Sequence, residues 1–250
     1  MNEKYADNYG QLEKTHWWFL ARSEILRKRA KEIRSKRGRN LRILNCGVAS
    51  GATSEMLSEF GSVTSLEFDD SLFKKLQLEK PFLKSIQGSI LELPFENNSF
   101  DLVCAFDVIE HVEDDHLAAK EMHRVLSDDG HVFISVPAFM LLWSDHDRIN
   151  HHFRRYTQQS LNLVFSSFED RYTTYFNTIL FPPIAVLRIL RERLFKRKNI
   201  LEESDFGHPR NPLLNHILFR IFRLETTLIH YFKSLPFGVS LMLTGVKKPK

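Results

Sequence analysis

The sequence has little cysteine, little net charge and no long apolar run, and each shortage excludes a class of protein. Its 250 residues contain two cysteines, too few for the disulfide framework of a small secreted domain. The formal net charge of +4 is too small to indicate a nucleic-acid-binding protein. The longest apolar run, FNTILFPPIAVL at 176–187, contains two prolines and is too short to span a bilayer.

The ends and the charged runs of the chain give two further expectations. No charged-then-apolar leader begins the sequence, so we expect no secretory signal and a cytoplasmic location. Lys and Arg are concentrated at 27–39 and 188–198, where such runs are typical either of solvated helix faces or of contact with an anionic partner. A chain of this length can bury the core of one large domain.

Between residue 41 and about residue 136, short β-branched runs alternate with amphipathic segments. This alternation is typical of an α/β fold with a parallel sheet and crossover helices. Helices are predicted over 70–79 and 114–126. The pattern predicts strands at 41–46, 62–68, 81–88, 100–109, 131–139, 170–177 and 238–248.

The remaining segments predict helices around this core. Residues 1–38 form an N-terminal helical cap, with Phe19, Leu26, Ala30 and Ile33 on one stripe. Residues 39–179 and 237–250 form the core. Residues 180–236 form a helical insertion between the last two strands, interpreted as two amphipathic helices.

The first strand leads into a loop of small residues, ILNCGVASGA at 43–52. Ligands bind beyond the carboxyl ends of parallel strands, and helix N-termini favour anionic groups. Gly47, Ala49 and Ala52 have the spacing of a dinucleotide loop, whereas Gly47, Ala49 and Gly51 have the G-x-G-x-G spacing of an S-adenosylmethionine loop. The Cβ of Ala49 would crowd a pyrophosphate, which favours a cofactor without one. A tight structural turn remains the alternative.

Glu67 lies twenty residues beyond Gly47, at the end of the second predicted strand. A carboxylate there suits the two ribose hydroxyls of an adenosine. Both cofactor classes use this feature, so Glu67 predicts a nucleoside without naming the cofactor.

Residues 88–137, GSILELPFENNSFDLVCAFDVIEHVEDDHLAAKEMHRVLSDDGHVFISVP, carry a longer pattern. They closely resemble the central half of class I S-adenosylmethionine-dependent methyltransferases, with an L-P-F element, a D-x-V strand, an E-H-V turn and a helix ending in R-V-L. HWWFLAR (16–22) and WSDHDRINHHFRRYT (143–157) resemble blocks of a bacterial subgroup, similar to methyltransferase types 11 and 12. The resemblance therefore covers nearly the whole chain.

The resemblance implies a fold, a cofactor and a set of binding residues. The fold is a doubly wound, mostly parallel seven-stranded sheet in the order 3-2-1-4-5-7-6, with the last strand antiparallel. The cofactor is S-adenosylmethionine. The implied binding residues are Asn45, Gly47, Ala49 and Gly51 at the methionine part, Glu67 at the ribose, Phe68, Ser89 and Ile90 at the adenine, and Asp107 beside the cofactor.

The chain departs from this family at two positions. Asn45 and Ser89 stand where family members usually carry acidic residues. Two alternative functions therefore stay open beside a methyltransferase: a catalytically degenerate, methyltransferase-like binding protein, and a nicotinamide-dependent oxidoreductase.

Methyl transfer needs a base only when the acceptor must lose a proton. The candidates are His111, His146, His152 and Tyr156, with Asp147 beside them in the same histidine-rich loop. In the structural alternatives, His111 caps a turn and the loop is a solvated connection.

We assign no metal to the site. A minor alternative is that Asp107, Glu110 and His111 form a D-x-x-E-H group. This group resembles the metal-binding E-x-x-E-H of some quinone-pathway and RNA-end methyltransferases. His146 or His152 would add a ligand for Mg or Mn.

The acceptor is expected to be a small or lipid-linked molecule, with no nucleic acid. The subgroup resembles enzymes of cell-surface polysaccharide pathways, which implies a lipid-linked or cell-surface glycan intermediate. In the first insertion helix, Ile184, Leu187, Leu190 and Leu194 combine with Arg and Lys, a composition suited to the inner face of an anionic membrane. The alternative is packing against the core or in a homodimer.

Overall fold

The computed structural model describes residues 10–195 and 211–249, and its last described side chain before the gap is that of residue 190. Residues 1–9 of the expected cap and 196–210 of the expected insertion therefore lie outside the described residues, as does the side chain of Leu194. Within the described ranges, no helix combines the length and the apolar character needed to cross a membrane.

Seven strands form one sheet in the order β3-β2-β1-β4-β5-β7-β6. Strands β1 to β5 are parallel, and β7 is antiparallel to both β5 and β6. The predicted fold class, order and direction are confirmed. The strands are β1 Leu41–Cys46, β2 Gly61–Glu67, β3 Lys84–Gln87, β4 Phe100–Phe106, β5 Leu126–Pro137, β6 Glu169–Phe176 and β7 Ser240–Val246.

Nine helices flank this sheet in the described part of the chain, besides a helical stretch at 10–15 and two short 3-10 turns at Ile109–His111 and Met140–Leu142. They are α1 Trp17–Arg37, α2 Ala52–Leu57, α3 Asp70–Glu79, α4 Asp115–Val125, α5 Asp145–Ile149, α6 Gln158–Val164, α7 Phe181–Phe195, α8 Pro212–Arg223 and α9 Glu225–Phe232.

The central strands β1, β4 and β5 are largely buried on both faces, with successive side chains entering opposite core layers. Leu44, Val103 and Ile134 point into one layer, which also holds α4 and α6 residues. Ile43 and Leu102 point into the other, against α1. This period of two explains why the central strands read as continuous apolar runs rather than as alternating ones.

Several predicted boundaries differ from the structure, and three of the differences have a clear structural cause. Strand β5 begins at Leu126 and not at 131, because the backbone of Asp129 and Gly130 hydrogen-bonds Lys247 beyond the end of β7. Strand β4 ends at Phe106, before Asp107 turns the chain with φ 56°. The second insertion helix is divided at Leu224 into α8 and α9, next to buried Glu225, whose Oε1 accepts a hydrogen bond from Ile179 N at 2.8 Å.

Helix α1 connects the N-terminal region to the sheet and to the insertion. The side chain of His16 caps its start, and Gly38, at φ 65°, ends it. Residues Phe19, Leu26 and Ile33 of its inner stripe are buried. The Oδ1 atom of Asn215 in α8 accepts a hydrogen bond from Trp17 N at 2.9 Å, so the insertion packs on the same helix.

The first residues of β4 include a buried carboxylate surrounded by arginines. Asp101 accepts hydrogen bonds from Arg39 at 2.8 and 3.0 Å and from Arg42 at 3.0 and 3.2 Å. Arg37 contributes a third charge at 3.7 Å. Burial alone would raise the pKa of Asp101, but the bonds from Arg42 and Arg39 hold it well below its usual range.

We expect Asp101→Asn to lower the free energy of unfolding by about 2 kcal/mol, because charged hydrogen bonds are lost at a buried position. The folded pKa lies below the unfolded value of about 3.9, so the stabilisation is complete above that pH and declines as pH falls through the folded pKa. Urea unfolding at pH 7 and pH 3 measures both effects. The control is Asp70→Asn, which breaks an exposed pair with Lys74 and should cost less than about 1 kcal/mol. Equal losses in both variants would contradict this role.

Candidate active site

The loop after β1 has left-handed backbone at three of its five residues. The φ angles are 66° at Gly47, 44° at Ala49 and 80° at Gly51. A Cβ on Gly47 would lie 2.5 Å from Val108 Cγ2, and one on Gly51 would lie 2.7 Å from Leu76 Cδ1. The two glycines are therefore required by backbone conformation and by space. The small residues at 47–51 predicted a tight turn between β1 and α2, and these backbone angles agree with it.

Glu67 fixes this loop to the end of β2. Its buried carboxylate accepts hydrogen bonds from the N–H groups of Ala49 at 2.9 Å, Phe68 at 2.9 Å and Asp69 at 3.1 Å. A carboxylate has about four lone-pair directions, so one remains for a further donor. Glu67 is thus first a residue that orders the loop, and its predicted contact with a ribose stays a prediction.

Asn45 is directed toward the start of α2. Its Nδ2 donates to Thr53 Oγ1 at 2.9 Å and to Ser54 Oγ at 3.0 Å. Its buried Oδ1 has no hydrogen-bond partner in the described ranges. The amide that replaces the expected acid therefore positions the helix N-terminus rather than adding a negative charge to the loop.

The residues predicted to flank an adenine lie at the carboxyl ends of β2 and β3. Phe68 follows Glu67 and is 74% exposed. Ile90 is buried, and Ser89 Oγ accepts a hydrogen bond from Leu91 N at 3.1 Å. The exposed phenyl ring of Phe68 and the buried side chain of Ile90 are two apolar groups at this end of the sheet.

The helical stretch at 10–15 lies against the loop, a contact that the sequence patterns did not show. The Ser50 hydroxyl donates a hydrogen bond to the Glu13 carboxylate. Removal from water raises the pKa of Glu13 to about 7, against the opposing effects of Ser50, Arg22 and Lys80. A titratable carboxyl group thus borders the candidate cofactor loop.

Asp107 forms an ion pair with Arg22 of α1. Arg22 Nη2 lies 2.5 Å from Asp107 Oδ2, and the arginine is buried. Its guanidinium also lies 5.2 Å from the centre of the Trp18 ring and 5.8 Å from that of Phe106. Sequence reasoning missed Arg22. Its position in the sequence could have revealed it, because Arg22 lies at helical spacing between Phe19 and Leu26. A charged residue on such an apolar stripe predicts a buried ion pair.

A cavity of about 100 Å³ lies beyond the carboxyl ends of β4 and β5, and Asp107 is one of the residues that line it. It brings together three of the four residues predicted to be catalytic, His111, His146 and His152. Their ring centroids are 4.4 Å apart for His111 and His152, and 5.8 Å apart for His146 and His152. The lining residues are Trp18, Phe19, Asp107, Glu110, His111, Pro137, His146, Asn150, His152, Arg155, Arg188, Val239 and Ser240.

Asp147 holds the histidine-rich loop in place from behind. Its carboxylate binds Arg155 through two hydrogen bonds, Nε at 2.8 Å and Nη2 at 2.9 Å, and His152 Nδ1 at 2.8 Å. Burial would raise the pKa of Asp147, but the bonds from His152 and Arg155 keep it below its usual range. Asp147 is therefore a bound carboxylate and is not available as a base.

Tyr156 does not line the cavity, contrary to the prediction that groups it with the catalytic histidines. It is 1% exposed, and its hydroxyl donates to Asp115 Oδ2 at 2.7 Å. Burial and the Asp115 carboxylate raise the pKa of Tyr156 far above its usual value. Tyr156 thus connects the loop to α4, and the structure does not support a role for it as a base.

Glu110 is a cavity residue that the catalytic predictions left out. It is 1% exposed, and its Oε2 atom has no hydrogen-bond partner among the residues that the structure describes. Burial and the nearby Asp107 carboxylate raise the pKa of Glu110 well above its usual value. Its neighbour His111 has its pKa lowered by desolvation and by His152.

Residues 44–134 match the family model described as a methyltransferase domain. The chain carries a class I methyltransferase domain. The domain covers the loop after β1, Glu67, Asp107 and the Glu110–His111 turn. The histidine-rich loop and the insertion lie outside the match.

A curated relative supports the same domain and no more than that. The demethylmenaquinone methyltransferase of Staphylococcus epidermidis is 38% identical over 92 residues, which cover 35% of this chain and 38% of the relative. The chain thus spans well under half the length of that curated relative.

Solved structures share the fold of the methyltransferase domain at low identity. A Haemonchus contortus phosphoethanolamine N-methyltransferase 2, solved with phosphomonomethylethanolamine and S-adenosylhomocysteine, has a TM-score of 0.54 and 18% identity over 89% of this chain and 53% of its own. The [4+2]-cyclase SpnF has a TM-score of 0.53 and 15% identity over 85% and 76%. One fold thus serves different reactions.

The left-handed backbone of the glycine loop after β1 can be tested with Gly38 and Gly47, whose φ angles are 65° and 66°. Gly38→Ala should cost about 1–2 kcal/mol of stability from backbone conformation alone, because a Cβ there meets nothing within 4 Å. Gly47→Ala should cost more, since its Cβ also meets Val108, whose β-branched side chain cannot swing away. Urea unfolding of both variants measures the difference. Equal costs would show that Gly47 is needed only for its φ angle.

Proposed function

We propose that the chain transfers a methyl group from S-adenosylmethionine to a small or lipid-linked acceptor. The observation that carries this proposal is that Asp107 follows β4 and lines the histidine cavity, while the glycine loop follows the neighbouring strand β1. The loop and Glu67 offer main-chain N–H groups and a buried carboxylate to a nucleoside. The cavity offers imidazoles to an acceptor.

In the proposed reaction, an electron pair on the acceptor forms a bond to the methyl carbon as the bond from that carbon to sulfur breaks. The sulfur keeps the pair, which leaves S-adenosylhomocysteine. This displacement depends on the alignment of donor and acceptor more than on chemical activation. A rigid site that holds the two reactants in line therefore supplies most of the rate enhancement.

An oxygen or nitrogen acceptor that loses a proton would give it to His111 or His152. Desolvation and His152 lower the pKa of His111 to about 3, so its imidazole is neutral near pH 7 but is a weak base. His152 is oriented by Asp147, which fixes one ring nitrogen and leaves the other facing the cavity group. His146 lines the same cavity and stays a predicted base.

The binding roles stay as the sequence implies them. Gly47, Ala49 and Gly51 would lie along the methionine part, and Glu67 would use its remaining lone pair for a ribose hydroxyl. Phe68 would flank the adenine, opposite Ile90, with Ser89 beside it. Asn45 is directed to α2, so the amino-acid end of the cofactor would depend on main-chain groups and on the Arg22–Asp107 pair.

A non-catalytic binding protein is the second candidate, because Asn45 and Ser89 replace acids. A nicotinamide-dependent enzyme is disfavoured, since Ala49 occupies the place where a pyrophosphate needs bare main chain. Calorimetric titration of the protein with S-adenosylmethionine and with NAD separates these functions. Absence of S-adenosylmethionine binding at millimolar concentration would end the methyltransferase proposal.

The adenine site can be tested with two exposed phenylalanines. We expect Phe68→Ala to weaken S-adenosylmethionine binding about 3- to 10-fold, the loss of one aromatic stacking contact. Phe82, which is 71% exposed and precedes β3, lies at the amino end of its strand, whereas Phe68 lies at a carboxyl end, and it supplies the control. Phe82→Ala should leave the dissociation constant unchanged in the same calorimetric experiment. Equal affinities for wild type and Phe68→Ala would place the adenine elsewhere.

A lipid-linked acceptor is supported by the position of α7. Arg188 lines the histidine cavity and donates to Leu142 O at 3.0 Å. The neighbouring Leu187 and Leu190 are exposed, so one helix connects the cavity to an apolar surface. We propose that α7 contacts the inner face of a membrane and that the protein is cytoplasmic, in keeping with its two unpaired, buried cysteines.

Membrane contact is tested by co-sedimentation with vesicles that contain phosphatidylglycerol. Leu187→Glu combined with Leu190→Glu should reduce the bound fraction about tenfold, because two exposed apolar side chains are replaced by charges. Leu78→Glu, at another strongly exposed leucine in α3, is the control. Concentration-dependent dimerisation that the double variant abolishes, without vesicle binding by wild type, would favour a second copy of the chain instead.

A further inference from the structure

Glu110, His111 and His152 bring one ligand atom each into a single cluster. These atoms all lie within 4.8 Å of one another, on the wall of the histidine cavity. Two imidazole nitrogens and one carboxylate oxygen form a ligand set found at divalent transition-metal sites. The three residues come from two separate segments, the turn after β4 and the end of the histidine-rich loop.

The burial of Glu110 and an oxygen left unpartnered by the described residues give a second observation that supports a cation site. The carboxylate is buried, yet its Oε2 atom has no partner within the described parts of the chain. Arg22 and Arg155 both lie close enough to influence Glu110, but Arg22 is paired with Asp107 and Arg155 with Asp147. A buried carboxylate oxygen without a donor is costly, and a bound cation removes that cost.

Both imidazoles are already oriented as metal ligands require. His152 uses Nδ1 to hydrogen-bond Asp147 at 2.8 Å, which leaves Nε2 free as a lone-pair donor. His111 has a ring hydrogen bond to the backbone of Asn150. Histidines that bind metals almost always give their second nitrogen to a carboxylate or a carbonyl group. Asp147 is itself fixed by Arg155, so the orienting shell is complete.

We propose that Glu110, His111 and His152 bind one divalent transition-metal ion, with Asp147 and Arg155 as the orienting pair. This ligand set differs from the D-x-x-E-H group of the sequence, because Asp107 is paired with Arg22 and lies outside the cluster. Ligands at about 2.0–2.2 Å from a metal must be closer together than 4.8 Å, so the three side chains would close on the ion.

The use of this ion rests on the proposed function. The site lies in the acceptor cavity, where the metal would hold an acceptor oxygen through an open coordination position and lower its proton affinity. With the ring nitrogens of His111 and His152 bound to the ion, His146 would be the histidine of this cavity that takes the acceptor proton. An acceptor with a hydroxyl group, such as a phenol or a sugar alcohol, fits this arrangement better than a carbon acceptor. Binding of the metal by itself requires no turnover.

The full-length, tag-free protein is first stripped of metal with a chelator. Binding of Co²⁺ to the stripped protein then tests the proposal. We expect about one Co²⁺ per chain by elemental analysis, a visible d–d absorption band, and displacement by Zn²⁺. Glu110→Gln and His152→Asn should each weaken Co²⁺ binding at least tenfold, and Asp147→Asn about 10- to 100-fold. His151→Asn, at the exposed histidine next to the cluster, should bind as wild type does.

Several results would overturn the proposal. They are no Co²⁺, Zn²⁺ or Mn²⁺ binding by wild type at millimolar concentration, unchanged affinity in Glu110→Gln, or an equal loss in His151→Asn. Circular dichroism checks that each variant is folded, and the wild-type stoichiometry decides the question if a variant is not. Calorimetry of the stripped protein with S-adenosylmethionine separates the two proposals: cofactor binding without metal binding refutes this one alone, and metal binding without cofactor binding refutes the other.

Discussion

The ion pair between Arg22 and Asp107 is the interaction on which the site depends. A buried guanidinium is tolerated only when it is paired, and a buried pair is strongly destabilising to break. Asp107 ends the central strand in a left-handed turn, and Arg22 comes from the helix that covers the sheet. The pair therefore fixes the N-terminal helix at the point where the cofactor loop and the histidine cavity meet, and it explains why an arginine interrupts an otherwise apolar stripe.

Much of the fold could be predicted from periodicity. The first strand was predicted with the observed bounds, and so was the helix at Asp70–Glu79, because apolar spacing records which side of each element is buried. The start of β5 was not predicted correctly, because the residues SDDG at 127–130 are typical of a turn. They belong to the strand only because their backbone pairs with the distant residue Lys247. The break at Leu224 depends equally on a distant contact, the hydrogen bond of Glu225 to Ile179.

In the candidate site, too, some residues could be predicted from local sequence and others could not. The glycine loop and Glu67 could be found from local spacing, because a strand, a tight turn and a helix lie next to one another in sequence. Tyr156 was misassigned because its neighbours His152 and Arg155 contribute to the cavity, whereas its own side chain points to Asp115. Glu110 was underrated as a catalytic candidate, since only the assembled cavity shows that one of its oxygens lacks a donor.

The clamp of Arg155 and His152 on Asp147 has a consequence for how acceptors are chosen. Surface loops that carry catalytic groups often close only after a substrate arrives. In this structure the histidine-rich loop is already held in place by the buried ion pair between Arg155 and Asp147. A capping box formed by Ser144 and Asp147 stabilises the N-terminal half of the loop. Discrimination between acceptors would then depend on the shape of a preorganised chamber, and a poorly fitting molecule would be rejected at entry rather than after loop closure.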